Sequence, residues 1–214
     1  MVYTSGEGLG VLHMHAVLER VICQIESEAG GLDAETAQLH PKDLAYLWSA
    51  QQVIEHLVLG YRVTSVALES RLNKGRLSRH RKKRTWLQWL LQLMILTFGS
   101  WPKGLPAPEE TTPDSFGVLN GRKLTDLLRK EIGVMDSLLD QCRRKFGMER
   151  IATHPLLGPL RVDQWRRYHV VHGYHHLEQL RSILAQVAPA PAPLQITKNN
   201  LVKELHVPVQ RPLS

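Results

Sequence analysis

Apolar residues recur at helical spacing in four long segments of the chain. The first segment covers about residues 9–28 and is followed by Gly30 and Gly31. At the start of the second, Ser49 and Gln52 have the spacing of a capping box. A predicted buried stripe then continues through Val53, His56, Leu57, Gly60, Val63 and Ala67. Strand-like alternation is almost absent, so the pattern predicts an all-α chain.

The third and fourth segments lie in the second half of the chain. The third begins near Leu124, continues through Cys142 and ends near Gly147. The fourth is predicted over residues 162–187, and its inward positions are Trp165, Tyr168 or His169, His172, His176, Gln179 or Leu180, and Ile183. Four such helices with a long connection between the second and third predict a four-helix bundle, which we assign to residues 1–187. Residues 188–214 are proline-rich at their start and are predicted to form a flexible or surface-packed tail.

The long connection combines a basic run with an apolar run. Residues 71–84 hold eight Lys and Arg and no acid, whereas the whole chain has a net charge of +7. Residues 86–98 are apolar over 13 positions, which is short of the ~20 needed to span a bilayer. We expect an extra short helix here that packs against the bundle or a partner subunit. Contact with an anionic membrane surface is the less favoured alternative, and nucleic-acid binding is not expected because no recognised module is present.

Composition is consistent with one globular domain. The chain has 214 residues, long enough to bury a core. Cys23 and Cys142 are far apart and lie in helical patterns, so we expect both to be buried residues in a reducing compartment. Residues 1–10 lack the charged start and apolar run of a secretory signal, so a cytoplasmic location is expected.

Histidines are concentrated in the fourth segment, at positions 169, 172, 175 and 176. His172 and His176 lie four residues apart on one helical face, about 6 Å apart along the axis, and can share one cation. His169 lies about 10 Å from His176 along the axis, so it competes with His176 as the partner of His172. His175 is turned away and is the weakest candidate. The best third ligand is His56, although a single histidine on an apolar face is more often a hydrogen-bonded core residue.

Two stretches of the sequence resemble the DinB-like (YfiT/DinB) family of metal-binding four-helix bundles. One is His-Pro-Leu-Leu-Gly-Pro-Leu-Arg-Val-Asp-Gln-Trp at 154–165, followed by His-Gly-Tyr-His-His-Leu-Glu-Gln at 172–179. The other is Trp-Ser at 48–49 with Gln-Val-Ile-Glu-His-Leu at 52–57. The sequence departs from the family at Arg161, where a capping Ser or Thr is usual, and Asp163 is the nearest acid.

The resemblance implies a site and an activity. The metal ligands would be His56, His172 and His176, binding one divalent transition metal (zinc, nickel, iron or manganese) with an open coordination position. The activity would be that of a hydrolase or a thiol-dependent S-transferase acting on a small molecule, with a low-molecular-weight thiol as a candidate partner and a homodimer as a candidate assembly. Gln179 and Glu55 are candidate proton-handling or ligand-orienting groups.

A different class of function remains open from the sequence. The bundle would then be a non-catalytic binding or stress-related module, with the metal structural or absent and the basic and Trp-rich connection forming a partner or membrane contact. An open metal site favours an enzyme, whereas a fourth protein ligand such as Glu55 or a closed cavity favours the binding module.

Overall fold

The structure is a computed structural model that describes residues 14–41, 47–76, 85–102, 107–113 and 116–187. This part of the chain is mostly helical. Its elements in chain order are α1 (Ala16–Ala29), α2 (Ala34–Gln38), α3 (Ala50–Lys74), α4 (Trp86–Gln92), a π-helical turn (Leu93–Thr97), a 3-10 turn (Glu109–Thr111), α5 (Gly121–Phe146), β1 (Arg150–His154), β2 (Gly158–Arg161) and α6 (Val162–Val187).

The four long helices pack around a common core. α5 contacts both α1 and α3, while α6 contacts α1, α3 and α5. Ile22, Leu57, Leu128, Leu139 and Leu180 are among the buried side chains that fill the space between them. The long helices therefore bury one apolar face each, as the helical spacing of their sequences predicts.

The predicted helix ends are largely confirmed. Ser49 and Gln52 form the complete capping box at the start of α3. α5 ends at Phe146 with Gly147 as its cap, and α6 has the predicted bounds. α1 begins later than predicted, at Ala16, where the His15 side chain accepts a hydrogen bond from the Val17 amide; residues 9–13 lie outside the described residues.

The stripe predicted along α3 is correct only in its first half. Val63 is 45% exposed and Ala67 is exposed as well. The buried positions of this half are instead Tyr61, Thr64, Ser65 and Leu68. The reason is that Val63 and Ala67 line an open cavity, so the helix face that meets the core shifts by about one residue along the helix.

The antiparallel hairpin of β1 and β2 was not predicted. Its strands have only five and four residues, too short for a clear alternation, and their register shifts between Arg150 and Ala152. Its apolar side chains pack inward, and Gly158 takes the left-handed conformation (φ 72°) where the second strand begins. The hairpin contacts α3 and α6 and leads directly into α6.

Neighbouring side chains compensate for the missing capping Ser or Thr at Arg161, before α6. The Arg161 backbone N–H donates to Gln164 Oε1 at 3.0 Å, which is half of a capping box. Asp163, in the first turn, forms an ion pair with Arg143 of α5. The start of α6 is therefore held without a capping hydroxyl.

The apolar connection packs on the rest of the fold with one face only. Gln92 and Ile95 are buried, and the Gln92 side-chain amide donates to the Leu157 carbonyl at 2.6 Å. The opposite face is exposed, and it comprises Trp86, Leu87, Trp89 and Phe98. The expected short helix is thus present and packs inward with one face, because a single short helix has only one side that can meet the core. Contact of the exposed face with a partner subunit stays a prediction.

The two cysteines differ in their burial. Cys142 is buried as expected, but Cys23 is exposed because it lies on the outer face of α1 beside Arg129. Residues 77–84 of the basic run, and the tail 188–214, lie outside the described residues. Among the helices that the structure describes, none has the length and apolar character that crossing a bilayer requires.

Close packing of α6 against α1 makes Gly173 sensitive to substitution. A Cβ at Gly173 would lie 2.6 Å from Val21 Cγ1, and Val21 is fully buried. We expect Gly173→Ala to lower the free energy of unfolding by about 1–3 kcal/mol, measured by urea denaturation. In a Val21→Ala background, the same substitution should cost much less.

A matched control for Gly173 is available in α5. A Cβ at Gly133 would meet only Met14 Cε, at an ordinary 3.9 Å, so Gly133→Ala should stabilise the protein by about 0.5–1 kcal/mol through helix propensity. Equal effects of the two substitutions would contradict the close approach of α1 and α6.

His154 makes the stability of the hairpin depend on pH. Its Nδ1 accepts hydrogen bonds from the Leu156 and Leu157 amides (3.1 and 3.2 Å), and burial lowers its pKa to about 4 from an ordinary 6.5. Between pH 6.5 and 4 the unfolded chain therefore binds a proton that the folded chain does not. The contribution of neutral His154 to the free energy of unfolding is therefore fully present above pH 6.5 and is lost as pH falls towards 4.

The substitution His154→Asn tests this dependence, because the Asn side-chain oxygen can keep the acceptor but does not titrate. We expect the loss of unfolding free energy between pH 7 and pH 5 to be about 2 kcal/mol smaller in His154→Asn than in the wild type. The measurement is urea denaturation at both pH values with chelator present. Identical losses in the two proteins would show that His154 does not carry this pH dependence.

Candidate metal centre

Three histidine side chains converge between α3 and α6. His56 comes from the second turn of α3, and His172 and His176 come from successive turns of α6. The Nε2 atom of His172 lies 3.2 Å from Nε2 of His56 and 3.0 Å from Nε2 of His176. All three side chains are buried.

Hydrogen bonds at the far side of two rings fix their orientation. Nδ1 of His56 donates to the Thr111 carbonyl at 2.7 Å, and Nδ1 of His176 donates to Gln179 Oε1 at 2.8 Å. With the ring proton on Nδ1, the Nε2 lone pair of each ring is free. These lone pairs face the Nε2 atom of His172.

Burial keeps the three imidazoles neutral. It lowers the pKa of His176 to about 3 and lowers the pKa of His56. The pKa of His172 falls well below its ordinary value, first because of burial and then because His176 and His56 lie so close. Metal ligands must be deprotonated, so these rings need no proton loss at neutral pH before they bind an ion.

The geometry fits a divalent transition metal. Imidazole nitrogens bound to a tetrahedral zinc ion at about 2.0–2.1 Å lie about 3.3 Å from one another, close to the two observed separations. In the described ranges, this is the one group of three or more His, Cys, Asp or Glu side chains whose ligand atoms approach one another this closely, all within 4.8 Å. Among the described residues the group has no fourth His, Cys, Asp or Glu ligand, so an ion held by these three side chains would have a coordination position left for another molecule.

A cavity of about 950 Å³ opens beside the three histidines. Trp48 lies against His56, with 4.9 Å between ring centroids, and stacks near His176. Trp101 lies 4.9 Å from the His172 ring, and Tyr168 stacks on His172 at 5.5 Å. Aromatic rings therefore surround the part of the cavity that lies next to the three histidines.

The two other histidines of the cluster point to different neighbours. Nε2 of His169 lies 3.1 Å from the Thr64 hydroxyl, and its ring packs on Tyr61. His175 is partly buried, stacks on Trp101 and lines the cavity. Of the two candidate partners of His172, it is therefore His176 and not His169 whose Nε2 lies next to that of His172.

Gln179 and Glu55, the candidate proton-handling residues, occupy different environments. Gln179 lines the cavity and reaches the three histidines through its hydrogen bond to His176. Glu55 is fully buried outside the cavity lining, where its Oε1 accepts from Gln51 Nε2 (2.8 Å) and the Phe116 amide (3.0 Å). Glu55 therefore ties the segment before α5 to α3 and is not a ligand in the histidine group.

Two contributors to the site could not be identified from the sequence. Thr111 acts through its backbone carbonyl, which no side-chain pattern reveals. Trp101 lies at the start of a proline-rich stretch with no helical period, and only the fold brings it over His172. An aromatic residue at the edge of a proline-rich stretch was the one available signal.

Comparison with known proteins gives one match. A model of the family described as "Protein of unknown function (DUF1569)" matches residues 131–183, about a quarter of the chain. The match runs from the middle of α5 through most of α6, so it includes His172 and His176 but not His56. No curated protein and no solved structure matches the chain.

Metal content is the direct prediction from this geometry. Protein purified without chelator or a histidine tag should carry about one transition-metal ion per chain, measured by elemental analysis. His56→Ala, His172→Ala and His176→Ala should each lose most of it, because two imidazoles make only a weak site. His175→Ala is the matched control and should keep the metal. Equal metal content in His175→Ala and the three ligand variants would refute the site, provided that circular dichroism shows all of them folded.

Proposed function

We propose that the protein is a DinB-like four-helix bundle that binds one divalent transition metal through His56, His172 and His176 and uses it in an enzymatic reaction on a small molecule. The observation that carries the proposal is the convergence of three buried, neutral Nε2 atoms at the edge of a large cavity. We propose a thiol-dependent S-transferase as the activity, with a metal-dependent hydrolase as the alternative on the same site.

The DinB-like assignment is supported by the order and positions of the motifs. The four long helices pack on one another, and a long connection separates α3 from α5. His56 follows a capping box on the helix before this connection, while His172 and His176 lie on the last long helix. That is the arrangement implied by the sequence resemblance.

The residues around the ligands would support a reaction in three ways. A divalent metal held there would act as a Lewis acid and lower the pKa of a thiol or water that takes the open position. Thr111 and Gln179 hold the His56 and His176 rings so that Nε2 points inward. Trp48 and Trp101 cover the rings and reduce the water around them.

The surroundings favour a thiol over water as the reacting group. A thiol has an ordinary pKa of about 8.5 and loses its proton more easily than water does. Hydrolysis would be helped by a nearby carboxylate base, but the described carboxylates lining the cavity, Glu110 and Glu178, are both solvent-exposed. Three imidazoles and a thiol suit zinc, nickel or iron better than manganese.

A second candidate function is supported by the exposed face of the connection. Trp86 is 76% exposed and Phe98 71% exposed, and the basic run lies next to them in the sequence. Such a surface suits contact with a partner protein or a membrane surface. It is compatible with a non-catalytic role in which the metal is structural.

The enzymatic proposal predicts metal-dependent thiol transfer. Zinc-loaded protein should accelerate the reaction of benzyl mercaptan with 1-chloro-2,4-dinitrobenzene, which releases chloride and is followed by absorbance. His172→Ala should lower the rate by about 100-fold or more, since the charge that stabilises the thiolate is lost. His15→Asn, which changes an exposed histidine that does not line the cavity, should keep the rate.

Parallel assays separate the alternatives. Hydrolysis of 4-nitrophenyl acetate without any thiol effect would favour the hydrolase. If neither reaction depends on the metal, the enzymatic proposal fails and the exposed face of the connection becomes the better guide to function.

A further inference from the structure

We infer that the cavity beside the histidines selects a thiol whose organic part is apolar and about the size of an aromatic ring. Where this part carries a charge away from the sulfur atom, the cavity favours a positive charge over a negative one. The inference rests on the proposed function, because it takes a thiol as the molecule at the open metal position. It adds the chemical class of substrate that the same site accepts.

The walls next to the metal ligands are aromatic. Trp48 covers one side, against His56 and His176, and Trp101 covers the other, against His172 and His175. Tyr168 and Trp165 line the cavity beyond them. A flat apolar body can pack between such rings, which also attract a cation through their π-faces.

Other parts of the cavity wall are supplied by apolar side chains. They come from α3, from the hairpin turn and from the segment before the 3-10 turn, and they comprise Val63, Ala67, Leu156, Pro155, Ala107 and Pro108. A substrate body that extends away from the metal would therefore remain in contact with carbon atoms. The surface here suits a body larger than a two-carbon thiol.

The charges at the cavity are acidic, although the chain as a whole is basic. Glu110 and Glu178 line it, and no Lys or Arg is among the described lining residues, whereas the net charge of the chain is +7. Arg181 already pairs with Glu178 and with Glu28, which reduces the field of Glu178. Glu110 has no such ion pair among the described residues, so we assign it the larger part in charge selection.

These charges discriminate between substrates that carry the same reactive group. A remote carboxylate or phosphate would find no described cationic partner in the cavity and would lie near Glu110. A remote ammonium would gain from Glu110 and from the indole faces. Because both acids are exposed, the effect is modest, and we expect the cationic form to bind about tenfold more tightly than the anionic form at low salt.

The test uses cobalt-loaded protein and three thiols that share a benzyl mercaptan core. They are benzyl mercaptan, 4-(mercaptomethyl)benzylamine and 4-(mercaptomethyl)benzoate, which are neutral, cationic and anionic away from sulfur. Binding is followed by the thiolate-to-cobalt absorption band, so each thiol gives a dissociation constant without any turnover. The expected order of affinity is cationic, then neutral, then anionic.

Two neighbouring acids provide a matched pair of variants. Glu110→Gln should reduce the cation-to-anion ratio of affinities by about threefold or more. Glu109→Gln removes an equal charge from the adjacent residue, which is exposed but does not line the cavity, and should leave the ratio nearly unchanged. Both substitutions are on the surface and should leave the fold intact.

The outcomes separate this inference from the proposed function. An absorption band with all three thiols, but with the anionic thiol bound as tightly as the cationic one, would overturn the inference and leave the proposed function standing. Equal effects of Glu110→Gln and Glu109→Gln would overturn the role of Glu110. If no thiol produces the band while cobalt is bound, the proposed function fails and the inference fails with it.

Discussion

The rest of this structure depends on three buried imidazole lone pairs that lie within a few ångströms of one another. Burying a polar atom costs free energy unless it finds a partner. The Nδ1 atoms of His56 and His176 have hydrogen-bond partners in the Thr111 carbonyl and the Gln179 side chain. These two hydrogen bonds direct Nε2 of both rings towards His172. A bound cation would satisfy all three nitrogens at once. The site is therefore understandable as a metal centre and is hard to explain as an ordinary part of an apolar core.

The fold supplies this arrangement from elements of different kinds. The capping box at Ser49 fixes where α3 begins and thus where His56 lies on it. The hairpin leads directly into α6. The hydrogen bond from the Arg161 backbone N–H to the Gln164 side chain fixes where that helix begins. α4 and the π-helical turn then lead the chain to Trp101 beside His172. Each element is held by contacts away from the histidines, so the rings are positioned before any ligand arrives.

The helices and the helix faces on which His172 and His176 lie were accessible from the sequence because they follow periodic rules. Helical spacing and capping residues predicted the bounds of α6 and the start of α3, and the four-residue step from His172 to His176 predicted a shared face. The hairpin was not accessible, since its strands are too short for a period to emerge. The exposure of Val63 was missed because a helical wheel cannot show that one part of a helix borders a cavity. The carbonyl of Thr111 and the position of Trp101 depend on the tertiary fold alone.

The central claim is that three imidazoles from two helices hold one metal ion and leave a position open. X-ray absorption spectroscopy at the zinc edge of the metal-loaded protein tests it most directly. The account predicts scattering from three imidazole nitrogens at about 2.0–2.1 Å and from one water oxygen at a similar distance. When benzyl mercaptan is added, a sulfur atom at about 2.3 Å should replace that oxygen. Sulfur scattering before any thiol is added, or a fourth imidazole or a carboxylate that added thiol does not displace, would contradict it.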